Sequence, residues 1–280
     1  QYPAGMLDRE PAQAAWLRLA SRIEARPDER LRHALLLGDQ VYVDATAGLF
    51  DPAGDYGRYK QPYLRLEAME GRKRVAQDLR LWCMLDDHEI EENWEPSPCD
   101  PALQQALRAG RRAYLENQRP AGPRQEPSRG DSTDPLWFPF EIAGFPFFMA
   151  DTRTEREGRS ATNIETARIM SKAQFLALTD WLDAQHRQRK TLPKFIASPA
   201  ILLPRRLRAT QNGHVASALR SDAWDGFPSS LHALLAHIAE RQIRHVVFLS
   251  GDEHLSCVTC AAIRSASGRC ATIHSVHSSA

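Results

Sequence analysis

Five aspartates close short, solid apolar runs, and this arrangement limits the fold more than any other feature of the chain. Ala34-Leu35-Leu36-Leu37 ends at Gly38-Asp39, and Leu81-Trp82-Cys83-Met84-Leu85 ends at Asp86-Asp87. Phe145 to Ala150 ends at Asp151, and Val246-Val247-Phe248-Leu249-Ser250 ends at Gly251-Asp252. Apolar runs of this length read as buried strands, and helical periods separate them, so the chain reads as α/β. In layered α/β proteins ligands bind just outside the carboxyl ends of strands. Several carboxylates meeting on one such edge repel one another unless a cation sits among them, which is the physical reason to expect metal.

The pattern predicts helices near Ala12–Glu24, Leu64–Asp78, Leu103–Asn117, Lys172–Arg187 and Ser230–Arg241. Further strands are expected at Lys194–Ala197, Cys257–Ile263 and Ala271–Val276, with a hairpin formed by Phe138–Ile142 and Phe145–Ala150 around Ala143-Gly144. From about 95 to 135 prolines, glycines and charges crowd in, which reads as an excursion or lid on a domain that otherwise spans 1–280.

A chain of 280 residues is long enough to bury a sizeable core. A formal charge of +1, with acids and bases interspersed, argues against nucleic acid as the main partner. No apolar run approaches the roughly 20 residues of a membrane span. The five cysteines, an odd number with Cys83 in a buried-looking run, do not read as a disulfide framework. Cys257 and Cys260 read as structural residues alternating along a strand. Both ends are expected to be cut from a longer chain, and localisation is not legible.

Four blocks carry the chemistry. In Gly38-Asp39-Gln40-Val41-Tyr42-Val43-Asp44, Asp39 can bridge two hard cations and Tyr42 can reach the same cation as a phenolate, which favours ferric iron. In Asp86-Asp87-His88-Glu89-Ile90-Glu91-Glu92-Asn93, Asp87 is the expected metal ligand and His88 the expected acid or phosphate contact. Glu89 is expected to orient His88, and Asn93 to reach the substrate from the following turn. In Asp151-Thr152-Arg153, Arg153 can present a planar cation to a phosphate oxygen, with a structural Asp–Arg ion pair as the alternative. In Gly251-Asp252-Glu253-His254-Leu255-Ser256, Asp252 and His254 fall on one side of an extended loop and can grip one or two metals.

These blocks, Gly38-Asp39-x-x-Tyr42-x-Asp44, Asp86-Asp87-His88-Glu89, Asp151-Thr152-Arg153 and Gly251-Asp252-x-His254-x-Ser256, resemble the PhoD-like phosphatases, a branch of the calcineurin-like metallophosphoesterases. The resemblance implies a four-layer α/β/β/α sandwich and a binuclear or multinuclear metal site, with Fe3+ beside Ca2+ or another divalent ion such as Mn2+ or Zn2+. It implies hydrolysis of phosphate monoesters or diesters by a metal-bound hydroxide. By the same resemblance Asp39 bridges the metals, Tyr42 binds iron, and Asp87, Asp252 and His254 complete the shell. His88 and Arg153 face the phosphate, and His88 protonates the leaving group. Two departures stand out. No residue before Asp39 fits the family's first metal ligand, and Ser198-Pro199 occupies the strand end where many relatives place a histidine. The alternative reading is a non-catalytic phosphate- or partner-binding module that keeps the fold. A serine hydrolase built on Ser256 and His254 is weaker, because no Gly-x-Ser-x-Gly turn is present.

Overall fold

The computed structural model describes residues 9–44, 56–97, 99–118, 134–204 and 214–279. The chain forms two compact units, Gln1–Asp134 and Pro135–Ala280. Each is built on parallel strands with helices around them.

The first unit has a parallel pair, β1 (His33–Leu37) and β2 (Arg80–Met84), in register from His33 opposite Arg80 to Leu37 opposite Met84. Parallel neighbours need a crossover, here supplied by helices α2 (Tyr56–Ala68) and α3 (Glu70–Asp78). The single helix expected over Leu64–Asp78 is therefore two, broken at Met69, whose ψ of 129° is extended backbone. Helix α1 (Arg9–Ala25) packs on α3, and buried Trp16 and Ala20 mark its inner side.

Helix α4 (Pro101–Asn117) begins at Asp100, whose side chain accepts from the backbone N–H groups of Ala102 and Leu103, a standard N-cap arrangement. This helix falls in the stretch expected to be an excursion or lid, yet it is packed into the first unit. Ala106, Gly110, Ala113, Tyr114 and Leu115 are buried, and the Tyr114 hydroxyl donates to the Cys83 carbonyl at 2.7 Å. The small residues explain the packing. A Cβ at Gly110 would stand 2.5 Å from the Glu89 carbonyl oxygen, so only glycine lets α4 lie against the turn after β2. The remainder of that stretch, 119–133, lies outside the described residues, as do 1–8.

The second unit is a six-stranded mixed sheet of order β3-β4-β5-β6-β8-β7. Its strands are β3 (Phe138–Ile142), β4 (Phe145–Met149), β5 (Lys194–Ala197), β6 (Val246–Ser250), β7 (Ser256–Arg264) and β8 (Cys270–Ser278). The central strands β4, β5, β6 and β8 run parallel, while β3 and β7 are antiparallel edges. The hairpin expected around Ala143-Gly144 is present, with φ of 51° and 82° at its two turn residues.

Helices α5 (Lys172–Gln188) and α7 (Pro228–Glu240) pack their apolar side on the sheet. Leu178, Leu182, Leu231, Leu234 and Ile238 meet Phe148, Ile196, Phe248 and Ile273 in one buried cluster. Each such side chain contributes about 1.5–3 kcal/mol by leaving water. A short helix, α6 (His214–Arg220), carries no strong sequence signal and was not expected.

Lys194 opens β5 fully buried, and its Nζ donates to the carbonyls of Arg189, Lys190, Leu192 and Arg244 at 2.8–3.4 Å. Buried ammonium groups survive only with such partners. The five thiols are free, with Cys83 buried and its pKa pushed up to about 12 by burial. Among the described residues no helix is long and apolar enough to cross a membrane.

Candidate metal centre

In the first unit the two strands deliver two loops to one edge. β1 ends at Gly38, where φ is 96°, and Asp39 follows at φ 53°. Glycine adopts that conformation without cost, and aspartate is among the few other residues that tolerate it. The chain then runs Val41-Tyr42-Val43, with both valines buried and Tyr42 pointing to the other side, as extended backbone alternates. After β2, a tight turn forms in which the Asp87 carbonyl accepts from the N–H groups of Ile90 at 2.6 Å and Glu91 at 2.7 Å. The Val43 N–H donates to the His88 carbonyl at 3.0 Å and ties the two loops together.

Asp39, Asp87 and His88 offer ligand atoms within 4.8 Å of one another, and Asp39, Asp86 and Asp87 do the same. Asp39 is 5 % exposed and Asp87 3 %. Carboxylates this close and this buried repel strongly in the absence of a counter-charge. The donor set, carboxylate oxygens with one imidazole nitrogen, fits a hard or borderline cation. The residues present therefore suit the metal that the sequence leads one to expect. Of the expected ligands, Tyr42 is placed with its ring stacked on the His88 imidazole, centroids 4.0 Å apart.

Two partners differ from expectation. Glu89 does not orient His88. Its carboxylate is fully buried and accepts four backbone N–H groups: Gln40 at 2.7 Å, Asp86 at 2.8 Å, Asp39 at 3.2 Å and Val41 at 3.4 Å. One side chain thus holds both loops. Burial pushes its pKa up to about 7 against the downward pull of those N–H groups.

The residue beside His88 is Asp44, whose Oδ2 lies 2.7 Å from His88 Nδ1. Burial pulls the His88 pKa down, but the bond to Asp44 and the charges of Asp87, Asp44 and Glu89 outweigh it, and the net shift is upward. A signal for Asp44 existed in the sequence: Tyr42 and Asp44, two apart in an extended segment, share a side. Asn93, expected to reach the substrate, acts here through its backbone. At φ 53° its N–H donates to Asp87 Oδ2 at 2.6 Å and fixes that carboxylate.

In the second unit the strand-end aspartates have different surroundings. Asp151 is a turn cap: its carboxylate accepts from the N–H groups of Arg153 at 3.0 Å and Thr154 at 2.8 Å, and from the Thr154 hydroxyl. Burial raises its pKa against these bonds. Arg153, expected at the phosphate, has no exposed side-chain surface, and its Nη2 donates to Asp222 at 2.8 Å. Its ion-pair partner is Asp222 rather than Asp151. The Asp151 carboxylate is already occupied by the turn it caps.

Burial alone would raise the Asp222 carboxyl, but Arg153 and Arg156 hold it below the usual carboxylate range. The unfolded chain therefore takes up this proton more readily than the folded one. The stabilisation is fully present above about pH 4, the unfolded value, and is lost as pH falls through the folded value. Thermal midpoints of the wild type and Asp222→Asn, followed from about pH 6 to about pH 3, should converge as pH falls. A gap that stays constant would contradict this account.

Asp252 and His254 follow β6 on one loop, with Asp252 half-buried at φ 77° and His254 exposed. Ser198, at the strand end where a histidine was considered, is buried with both roles satisfied. It accepts from Trp224 Nε1 at 3.0 Å and donates to the Ala200 carbonyl at 2.9 Å. Residues 1–8, ahead of α1, lie outside the described residues.

Comparison with known proteins adds three findings. The model of the family described as PhoD-like phosphatase matches residues 15–273. A solved structure titled "Structure of PhoD" is similar with a TM-score of 0.68 at 16% identity, covering 96% of this chain and 53% of that chain. At that identity the likeness concerns fold, and it bears out the α/β metallophosphoesterase class. This chain spans about half the length of the chain it matches. No curated protein matches it by sequence.

Proposed function

The chain belongs to the PhoD-like phosphatase family, and on that premise we propose that it is a metal-dependent phosphoesterase. The observation that carries the reading is the group Asp39, Asp87 and His88, with ligand atoms within 4.8 Å of one another beyond the ends of two parallel strands. The proposed metal ligands are Asp39, Asp87 and, as a phenolate, Tyr42. The family pattern alone assigns Asp252 and His254 to the same role. The proposed ions are Fe3+ with Ca2+ or another divalent cation. Bound cations would supply an acidified water as nucleophile and neutralise charge on the phosphoryl oxygens.

The residues supply the rest. Asp44 holds His88 Nδ1, so Nε2 is the ring nitrogen left for the phosphoester. The upward shift of the His88 pKa favours the protonated imidazole, which can pass its proton to the leaving alkoxide. Glu89 keeps Asp39 and Asp86 at fixed positions through their backbone. The family pattern alone assigns Arg153 to the phosphate, and Asp222 would hold its guanidinium in place.

The test is metal removal. Purified chain should contain near-stoichiometric metal by elemental analysis and should hydrolyse p-nitrophenyl phosphate or its bis-aryl diester. Chelation should abolish turnover, and returning the metal should restore it. Asp252→Ala should be inactive on both substrates. Phosphate binding without turnover by the metal-loaded wild type would favour the binding-module alternative instead.

A further inference from the structure

The loop after β6 is held from β8 by a hydrogen-bond chain that plays no part in the reading above. Ser250, the last residue of β6, lies opposite His277 in the parallel register. The two side chains meet, with Ser250 Oγ 2.9 Å from His277 Nδ1. On the other side of the ring, His277 Nε2 is 2.7 Å from the Glu253 carbonyl. A carbonyl can only accept, so Nε2 carries the hydrogen. In the neutral ring Nδ1 is then the acceptor, and the Ser250 hydroxyl donates to it. His277 is 1 % exposed, which keeps water from competing for either bond.

The grip continues two residues on. The Ser279 hydroxyl donates to the Asp252 carbonyl at 3.3 Å, and the Ser279 N–H donates to the Leu255 carbonyl at 3.1 Å. The end of β8 and the residue after it thus hold three carbonyls between 252 and 255. The loop needs such restraint. Asp252 sits at φ 77°, a conformation that costs a non-glycine residue about 1–2 kcal/mol. Within the loop the N–H groups of Glu253 and Leu255 reach back two residues, to the Gly251 and Glu253 carbonyls, a spacing shorter than that of a helical ladder.

We propose that His277 is a positioning residue, which fixes the direction of Asp252 and His254 by holding the carbonyl of the residue between them. The inference rests on the reading of Asp252 and His254 as metal ligands.

The experiment uses the full chain, stripped with chelator and titrated calorimetrically with Mn2+ alone. Two substitutions divide the imidazole. In His277→Asn the amide reaches the Nδ1 position and keeps Ser250 but loses Glu253. In His277→Gln the amide reaches the Nε2 position and keeps Glu253. The Asn variant should bind Mn2+ about tenfold or more weakly, as loss of an outer partner of a metal ligand does, and the Gln variant within about threefold of wild type. A role in packing alone would cost both variants equally. Equal affinities for the two variants, or wild-type affinity for Asn, would therefore overturn the proposal. If the Asn variant does not fold, Ser279→Ala decides: weaker Mn2+ binding supports the positioning role, and unchanged binding removes it. A wild type that binds no Mn2+ and cleaves no phosphoester would sink the functional reading and this inference together. A wild type that does both, beside an unaltered Asn variant, would sink only the latter.

Discussion

Asp39→Asn is expected to lower phosphoester turnover by about a thousandfold or more while leaving the metal-free protein at least as stable as wild type. The loss follows from the charge. A carboxylate that would help to hold and neutralise the cations contributes several kcal/mol to transition-state stabilisation, and about 4 kcal/mol corresponds to a thousandfold in rate. Asparagine keeps the shape of the side chain and tolerates the left-handed backbone at φ 53°, so the turn after Gly38 should survive. The opposite sign on stability comes from the same carboxylates. With Asp86 and Asp87 within reach and all three buried, removing one charge relieves repulsion in the metal-free state. Melting in chelator and in saturating Mn2+ separates the two effects. Wild type should gain from metal, and the variant should gain little. Equal turnover, or an equal gain from metal, would remove Asp39 from the site.

Glu89→Gln should be the most damaging single change at the base of the site although Glu89 makes no contact with solvent. Its two oxygens accept four N–H groups from two loops. An amide keeps one accepting oxygen and turns a donor toward the N–H groups that met the other. Leaving buried donors without an acceptor costs about 1–3 kcal/mol each, so a loss of about 2–5 kcal/mol is expected. A fall of that size should appear in the thermal midpoint with and without metal, and Mn2+ affinity should drop with it as Asp39 and Asp86 lose their shared anchor. A midpoint within a degree or two of wild type would show that the loops hold themselves. Glu89→Gln and Asp39→Asn are therefore distinguishable, since the first weakens fold and metal binding together and the second weakens metal binding alone.

Much of the fold is legible without coordinates. The runs that became β1, β2, β4, β5 and β6 are unbroken apolar segments, and β5 and β6 have the bounds that their composition predicts. The aspartates behind them were identifiable as a group because a charged residue ending a buried strand must face either a partner or a cleft. The helical break at Met69 and helix α6 were not anticipated: Gly71, two residues past the break, is buried inside α3 rather than ending a helix, and α6 is only seven residues long. Helix α4 was misplaced as an excursion for the opposite reason. Its flanks are rich in loop residues, while the small side chains that bury it look unremarkable until a partner is set against them.

Taken alone, the sequence determined the α/β class, the strand ends and the residue types gathered there, because each depends on spacing along a chain of known geometry. The tertiary structure decided who pairs with whom. His88 meets Asp44 across 44 residues, Glu89 meets the Gln40 N–H across 49, and Arg153 meets Asp222 across 69. Glu89 and Asp44 carry the same charge, and charge alone does not distinguish the buried clamp from the partner of the histidine. Only the parallel alignment of β1 with β2 brings both loops to one edge, and there the positions of the N–H donors and the imidazole assign each carboxylate its role.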